Sequence, residues 1–308
     1  MKQKKYMDIP VWTEENSKGF QKGDKIIVQE KIDGANFSLR YSEEKDRIVS
    51  FGREDRLSLG NSLRGAWEWS QRQDKEVIKQ VLGSKLVLFG EWLCPHTVLY
   101  PEDKYQTAYF YDVWDLEEQK YLTQDKVETI VKQLGFSYVP VLYQGEFSSW
   151  EQVKALVGTT ALDGTQGEGV VVKNMTAIQR TETEERFPFY LKIVGEKFKE
   201  TKAVKGLVKL LDAEEAERKV KLRAALDSVV TEARVRKLVH KMVDKGTLPE
   251  NWGKRDLGTI SKKLGTILYE DCLKEEPDIV ELVGEEVFRK MCIIPAMPIV
   301  RAMMTETE

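Results

Sequence analysis

Histidine and cysteine are scarce in this 308-residue chain, with two of the former and three of the latter. Cys94, Cys272 and Cys292 are scattered and form no CxxC pair. That argues against a disulfide framework or a Cys-type zinc site, and it suits a reducing compartment. With only His96 and His240, His-rich metal sites and HExxH helices are absent too. No GxSxG elbow is present to support a Ser-His-Asp triad. No apolar run approaches the ~18 residues of a membrane helix. The basic start, Met1 to Lys5, runs into Asp8, Pro10, Glu14 and Glu15 where a signal peptide needs its apolar stretch, so a cytoplasmic address is expected. Excess positive charge is also lacking. The 48 Lys+Arg face 51 Asp+Glu, a net −3 that taken alone argues against a nucleic-acid partner. Any chemistry falls to Lys, Arg, Asp and Glu.

The chain has enough apolar residues, 41% of the total, to fold as one large domain or two ordinary ones. Up to about residue 200, strand-like and helix-like segments alternate. Lys25–Lys31 is a short apolar run entering a Gly turn. Phe37, Leu39 and Tyr41 alternate with polar residues, as in a half-buried strand. Lys85–Trp92, Tyr109–Trp114, Val170–Lys173 and Tyr190–Val194 read as further strands. Val127, Ile130, Val131 and Leu134 mark one face of a helix stopped by Gly135. Ser149 and Gln152 suggest a capping box for a helix ending near Gly158. Beyond residue 200 the pattern turns helical, over Val204–Leu211, Glu214–Leu226, Val229–Val243, Leu257–Cys272 and Ile279–Cys292. Breaks are expected near Asp212, Gly246–Gly253 and Pro277. The reading is a mixed α/β domain over 1–200 followed by an all-helical domain over 201–308.

The most informative stretch is Glu30-Lys31-Ile32-Asp33-Gly34-Ala35-Asn36-Phe37-Ser38-Leu39. A lysine leaving a strand into an Asp-Gly turn is fixed from both sides. It becomes a nucleophile when burial or nearby cations bring its pKa down from ~10.4. By itself the run reads equally as a hairpin turn with a solvated lysine. It is followed, in order, by Phe51-Gly52-Arg53-Glu54, Leu88-Phe89-Gly90-Glu91-Trp92 and Tyr109-Phe110-Tyr111-Asp112-Val113. Gly167-Glu168-Gly169-Val170-Val171-Val172-Lys173 and Tyr190-Leu191-Lys192-Ile193-Val194 complete the series.

This ordered series resembles the covalent nucleotidyltransferases, which comprise ATP-dependent DNA and RNA ligases and capping guanylyltransferases. Its first motif, ending in Asn36-Phe37-Ser38, is most similar to the RNA ligase 2 family. The resemblance implies an α+β nucleotidyltransferase domain with antiparallel sheets, ATP as cofactor with Mg²⁺ or Mn²⁺, and RNA ends as partner. Those ends would be a nicked duplex or an RNA 3′-OH on a duplex, and a monomer is favoured. It implies that Lys31 takes AMP as a phosphoramidate, with Lys173 and Lys192 facing the triphosphate. Arg53 would lie near ribose and phosphate, Glu91 on the ribose, and Tyr111 stacked on adenine. Glu30, Ile32 and Asn36 would complete the nucleotide site. Glu168 would be tied to the metal, with Asp112 a second candidate.

The charges agree with that chemistry. Several negative charges on ATP need cations, here Arg53, Lys173, Lys192 and Mg²⁺. Mg²⁺ takes a few carboxylates, phosphate oxygens and waters, so a site without histidine suits it. Tyr111 also reads as core packing and Lys173 as a strand-end lysine. One departure stands out: Val194 replaces the family's usual second lysine, so a phosphate contact is either absent or comes from Lys197 or another residue. Residues 218–241 carry eight Lys+Arg against Asp227 and Glu232, a surplus of six. Arg218, Lys221, Arg234 and Lys237 are the candidates there for RNA phosphates, though such a run also reads as a solvated helix face. A DNA ligase or capping enzyme would need an OB-like tail, and a non-catalytic RNA-binding module is the remaining alternative.

Overall fold

The computed structural model describes residues 3–96, 98–176, 189–195, 208–249 and 251–305. The chain divides into two compact units, Met1–Asp55 with Trp69–Val208, and Arg56–Glu68 with Lys209–Glu308.

In the first unit the strands are β1 (Lys25–Lys31), β2 (Ala35–Ser42), β3 (Arg47–Phe51), β4 (Leu86–Leu93) and β5 (Thr107–Asp115). They continue through β6 (Lys120–Tyr121), β7 (Ser137–Tyr138), β8 (Val141–Glu146), β9 (Gly169–Asn174) and β10 (Tyr190–Val194). Between them in sequence lie helices α1 (Ala66–Gln71), which begins in the second unit's stretch, α2 (Lys75–Leu82), α3 (Gln124–Gln133) and α4 (Trp150–Lys154). One antiparallel sheet runs β10-β9-β1-β8. The second runs β3-β2-β4-β5-β6, antiparallel throughout, with β7 added parallel to β5. The strand that carries Lys31 therefore lies inside its sheet, held on both sides.

β2 is not half-buried as its alternation suggests. Phe37 and Leu39 are fully buried, but Ser38, Arg40 and Ser42 on the opposite face are covered as well. Elsewhere in the same sheet, the segment at residues 4–6 packs on β4, β5 and β6. Tyr6 packs on Phe89 and Tyr121, and the Lys4 ammonium sits 3.5 Å over the Trp114 ring. The Ser149 capping box is also not formed. The Gln152 carboxamide instead accepts from the backbone and hydroxyl of Ser148, and the helix stops at Lys154.

The second unit's described residues at 209–249 and 251–305 hold helices and no strand. Helix α5 (Val208–Val229) runs straight through Asp212, so no break falls there. Helix α6 (Glu232–Asp244) is capped by the Thr231 side chain, which accepts from the Arg234 amide. After α7 (Leu257–Glu275), the single helix expected over Ile279–Cys292 is two, α8 (Pro277–Val283) and α9 (Glu285–Met291). They part at Gly284, whose φ of +95 no helix residue adopts. Pro277 opens α8 rather than marking a gap, because the first helical position needs no N–H. The chain then adds α10 (Ile293–Thr305). Leu226, Val235, Leu238, Ile260, Leu264, Phe288 and Val300 form its core, and Leu59 joins them from the first third of the sequence. All three cysteines are buried and unpaired to one another. Among the described residues no helix is long and apolar enough to cross a membrane.

Candidate active site

Between the strands of the first unit lies a cavity of about 290 Å³. Its walls include Lys31, Glu30 and Ile32 from the end of β1, Asn36 from β2 and Glu91 from β4. Tyr111 from β5, Lys173 from β9, Lys192 from β10 and Arg53 just beyond β3 complete the set expected from sequence to share one pocket. Residues 6–9 form a further wall that no sequence pattern marked.

Lys31 stands at the last position of β1, paired in register with Gly169 of β9. That register brings Glu168 alongside, and both of its carboxylate oxygens accept from the Lys31 ammonium, at 2.6 and 2.5 Å. The two glycines flanking Glu168 are dictated by crowding. A Cβ on Gly167 would stand 2.3 Å from the Thr159 carbonyl oxygen, and one on Gly169 would stand 2.2 Å from that of Ile193. Burial raises the Glu168 pKa, and the Lys31 charge opposes that rise. Glu91 is pushed up to about 8, chiefly by burial, with Lys31 pulling it down and Glu168 and Asp33 pushing it up. Asp33 shapes the following turn by accepting from the Val98 amide at 2.7 Å.

A bulge between Phe89 and Gly90 in the β4–β5 ladder re-aims Tyr111. The Tyr111 hydroxyl accepts from the Asn36 side chain at 2.9 Å, and its ring packs 5.0 Å from that of Tyr6. Asn36 thus positions the aromatic residue through its hydroxyl. Lys173 is 1% exposed, and its ammonium donates to the Tyr111 carbonyl at 2.8 Å and to Asp112 at 3.0 Å. Asp112 also accepts from the Tyr6 hydroxyl at 2.5 Å and the Gln124 side chain at 2.7 Å. Two expectations change here. Asp112 is fully buried with its oxygens filled by protein donors, so it is not placed as a metal ligand. Lys173 is held by Asp112 and fastens the Tyr111–Asp112 pair from below, rather than standing free towards a triphosphate. Burial lowers its pKa while Asp112 opposes the fall.

The remaining cations stand at the cavity's rim. Arg53 is ion-paired with Asp8. Lys192 is fixed by its backbone on the side away from β9, donating to the Pro10 carbonyl and accepting from the Trp12 amide. Lys197 lies outside the described residues. Glu30 is buried, and its carboxylate accepts from Thr160 and Ala161 rather than pointing into open cavity. Ile32 belongs to an apolar cluster with Leu93, Val98, Tyr100, Tyr109, Val139 and Leu162.

The four candidates for RNA lie on α5 and α6. Arg234 is nearly buried, donating to the Val229 carbonyl and ion-paired with Asp271, Glu275 and Glu276. It is therefore not available to a phosphate. Arg218 pairs with Glu68, and Lys221 with Glu217 one turn back. Lys237 is exposed. With Lys219 paired to Glu215, four of the eight basic residues at 218–241 are answered by carboxylates outside that stretch.

Among the described residues no three His, Cys, Asp or Glu side chains are grouped to hold a metal ion by themselves. Glu168 beside Lys31 fits an ion whose other ligands are phosphate oxygens and water.

The cavity thus brings a strand-end lysine, its carboxylate partner, further cations and an aromatic ring together. Residues 24–194 match the RNA ligase family, and the chain belongs to it. Among solved structures the chain is similar to a variant of Naegleria gruberi RNA ligase with ATP and manganese. The match is at 22% identity and TM-score 0.47, over 63% of this chain and 57% of that one. A second variant of the same enzyme, with AMP and manganese, matches at 22% identity and TM-score 0.48, over 63% and 56%. The chain thus spans little more than half the length of these proteins. No curated protein matches it.

Proposed function

We propose that the protein is an ATP-dependent RNA ligase that works through a covalent lysyl-AMP. The observation that carries this is Lys31, held by Glu168 at the edge of a cavity that also contains Arg53, Lys192, Glu91 and Tyr111. Lys31 Nζ attacks the α-phosphorus of ATP, the bond to the β-phosphate oxygen breaks, and pyrophosphate leaves. Glu168 is the nearest acceptor for the proton that Lys31 must lose, and its raised pKa suits that duty. Arg53 and Lys192 offset charge on the phosphates. Tyr111, with its hydroxyl held by Asn36, offers a ring for the base, and Glu91 a carboxyl for the ribose. A Mg²⁺ or Mn²⁺ beside Glu168 supplies further charge stabilisation when bound. AMP then passes to the 5′-phosphate of an RNA end, and a 3′-hydroxyl displaces it to close the phosphodiester. With Val194 at the position of the usual second lysine, Lys192 is the cation that β10 offers.

The test is to incubate the protein with Mg²⁺ and α-labelled ATP or GTP and then denature it. Label from ATP that is lost in Lys31→Ala supports the reading. Label only from GTP indicates capping chemistry, and no label at all leaves a binding module. Sealing assays on nicked duplex RNA, nicked DNA and single-stranded RNA identify the substrate.

A further inference from the structure

We infer that Thr160 is a positioning residue, through which the side chain of Glu30 sets Glu168 against Lys31. Neighbouring side chains on a strand point to opposite faces, so Glu30 and Lys31 leave β1 in opposite directions. Both nevertheless hold the same loop, residues 158–168. Glu30 accepts from the Thr160 hydroxyl at 2.6 Å and from the Ala161 amide at 2.9 Å. Lys31 grips Glu168 where the loop ends. The loop is closed at its neck, where the Gly167 amide donates to the Gly158 carbonyl at 2.9 Å. Its far side is seated by Leu162, buried among Ile32, Tyr100 and Tyr109.

The loop therefore straddles the end of β1 with few ways to shift. The latch at Thr160 and Ala161 fixes one flank, the neck passes that position to Gly167, and Glu168 follows directly. Thr160 Oγ1 also accepts from the Leu162 amide at 3.1 Å, so the hydroxyl orients its own loop as it donates to Glu30. Glu30 is 2% exposed. A carboxylate so buried needs its donors, and both come from this loop. Glu30 thus acts on the nucleophile's partner and not on the nucleotide base.

The inference rests on Lys31 being the nucleophile, and its test has one arm that does not depend on that reading. In Thr160→Val the hydroxyl is lost at nearly constant volume. Amide hydrogen exchange at Ala161 and Gly167 should quicken about tenfold, the worth of one hydrogen bond to a charged group, while β1 and β9 stay protected. The rate of Lys31 adenylylation should fall by a similar, roughly tenfold factor with KM for ATP held within about twofold. Thr160→Ser should restore both. Glu30→Gln combined with Thr160→Val should be little worse than either alone, because the two remove one shared interaction. Wild-type exchange and rate in Thr160→Val would overturn the inference. So would a Glu30→Gln variant that changes KM for ATP or admits GTP, additively with Thr160→Val. If the wild-type protein takes no label from any nucleotide, the ligase reading fails, and the exchange rates alone decide the latch.

Discussion

Both carboxylate oxygens of Glu168 lie within 2.6 Å of the Lys31 ammonium, so the two side chains form one ion-paired unit. Glu168→Gln keeps the shape of this contact but removes its charge and its ability to accept a proton. It should cut adenylylation by about a hundredfold or more, in the range expected for loss of a positioned acid–base group. Lys31→Arg should take no label, since a guanidinium stays protonated. Intact-mass spectrometry after incubation with ATP and Mg²⁺ reads both results.

Glu91 gives the fold a pH dependence with a definite sign. Its value of about 8 lies above the ordinary 4.5, so the native state holds the proton more tightly than the unfolded chain. The resulting stability is complete below about pH 4.5 and is lost as pH rises through 8. Between these limits this one group should lower stability by up to about 1.4 kcal/mol per pH unit. Glu91→Gln should flatten that slope, as measured by urea unfolding at pH 5, 6.5 and 8.

The buried pair of Lys173 and Asp112 makes a different demand. Asp112→Asn leaves the Lys173 ammonium inside the protein without its counter-charge and should cost about 3–5 kcal/mol. Adding Lys173→Met should recover part of that loss, because no buried charge then remains unpaired. Thermal melts of the two singles and the double measure the recovery.

On the helical unit, Arg234 and Lys237 should separate structure from binding. Arg234→Ala strips three carboxylates and a carbonyl of their donor, and it should lower the melting temperature. Lys237→Ala should leave the melt unchanged. If the exposed face contacts RNA phosphates, each such lysine removed should reduce the slope of log K against log salt by about 0.9. Filter binding at several salt concentrations would show whether it does.

Much of the site was legible because its residues lie on strands with strong apolar patterns. β1 and β10 have the bounds that the sequence suggests, and the motif residues on them meet at one cavity. What escaped was partnership across long sequence separation. Tyr6 and Asp8 sit in a polar stretch with no period, yet Tyr6 binds Asp112 and packs on Phe89 of β4 and Tyr111 of β5. Lys173 matched a motif lysine, but nothing in its neighbourhood of sequence announces that Asp112 holds its ammonium. The basic run on α5 and α6 is less free than it reads for the same reason: Glu68 and Asp271, which answer two of its arginines, are far away in the chain. Thr160 and Ala161 carry no motif at all.

The stretch Arg56–Glu68 belongs to the second unit although 140 residues of the other unit follow it. Leu59 and Gly60 donate their amides to the Leu282 and Val283 carbonyls, and the Ser58 hydroxyl donates to Val283 as well. The helical unit is thus not a removable tail. A fragment beginning at residue 209 would lack Leu59 from its core and leave those carbonyls bare. An exchange of this unit between relatives needs two crossover points in the gene, and a chain emerging from the ribosome carries the first piece of its second unit long before the rest is made.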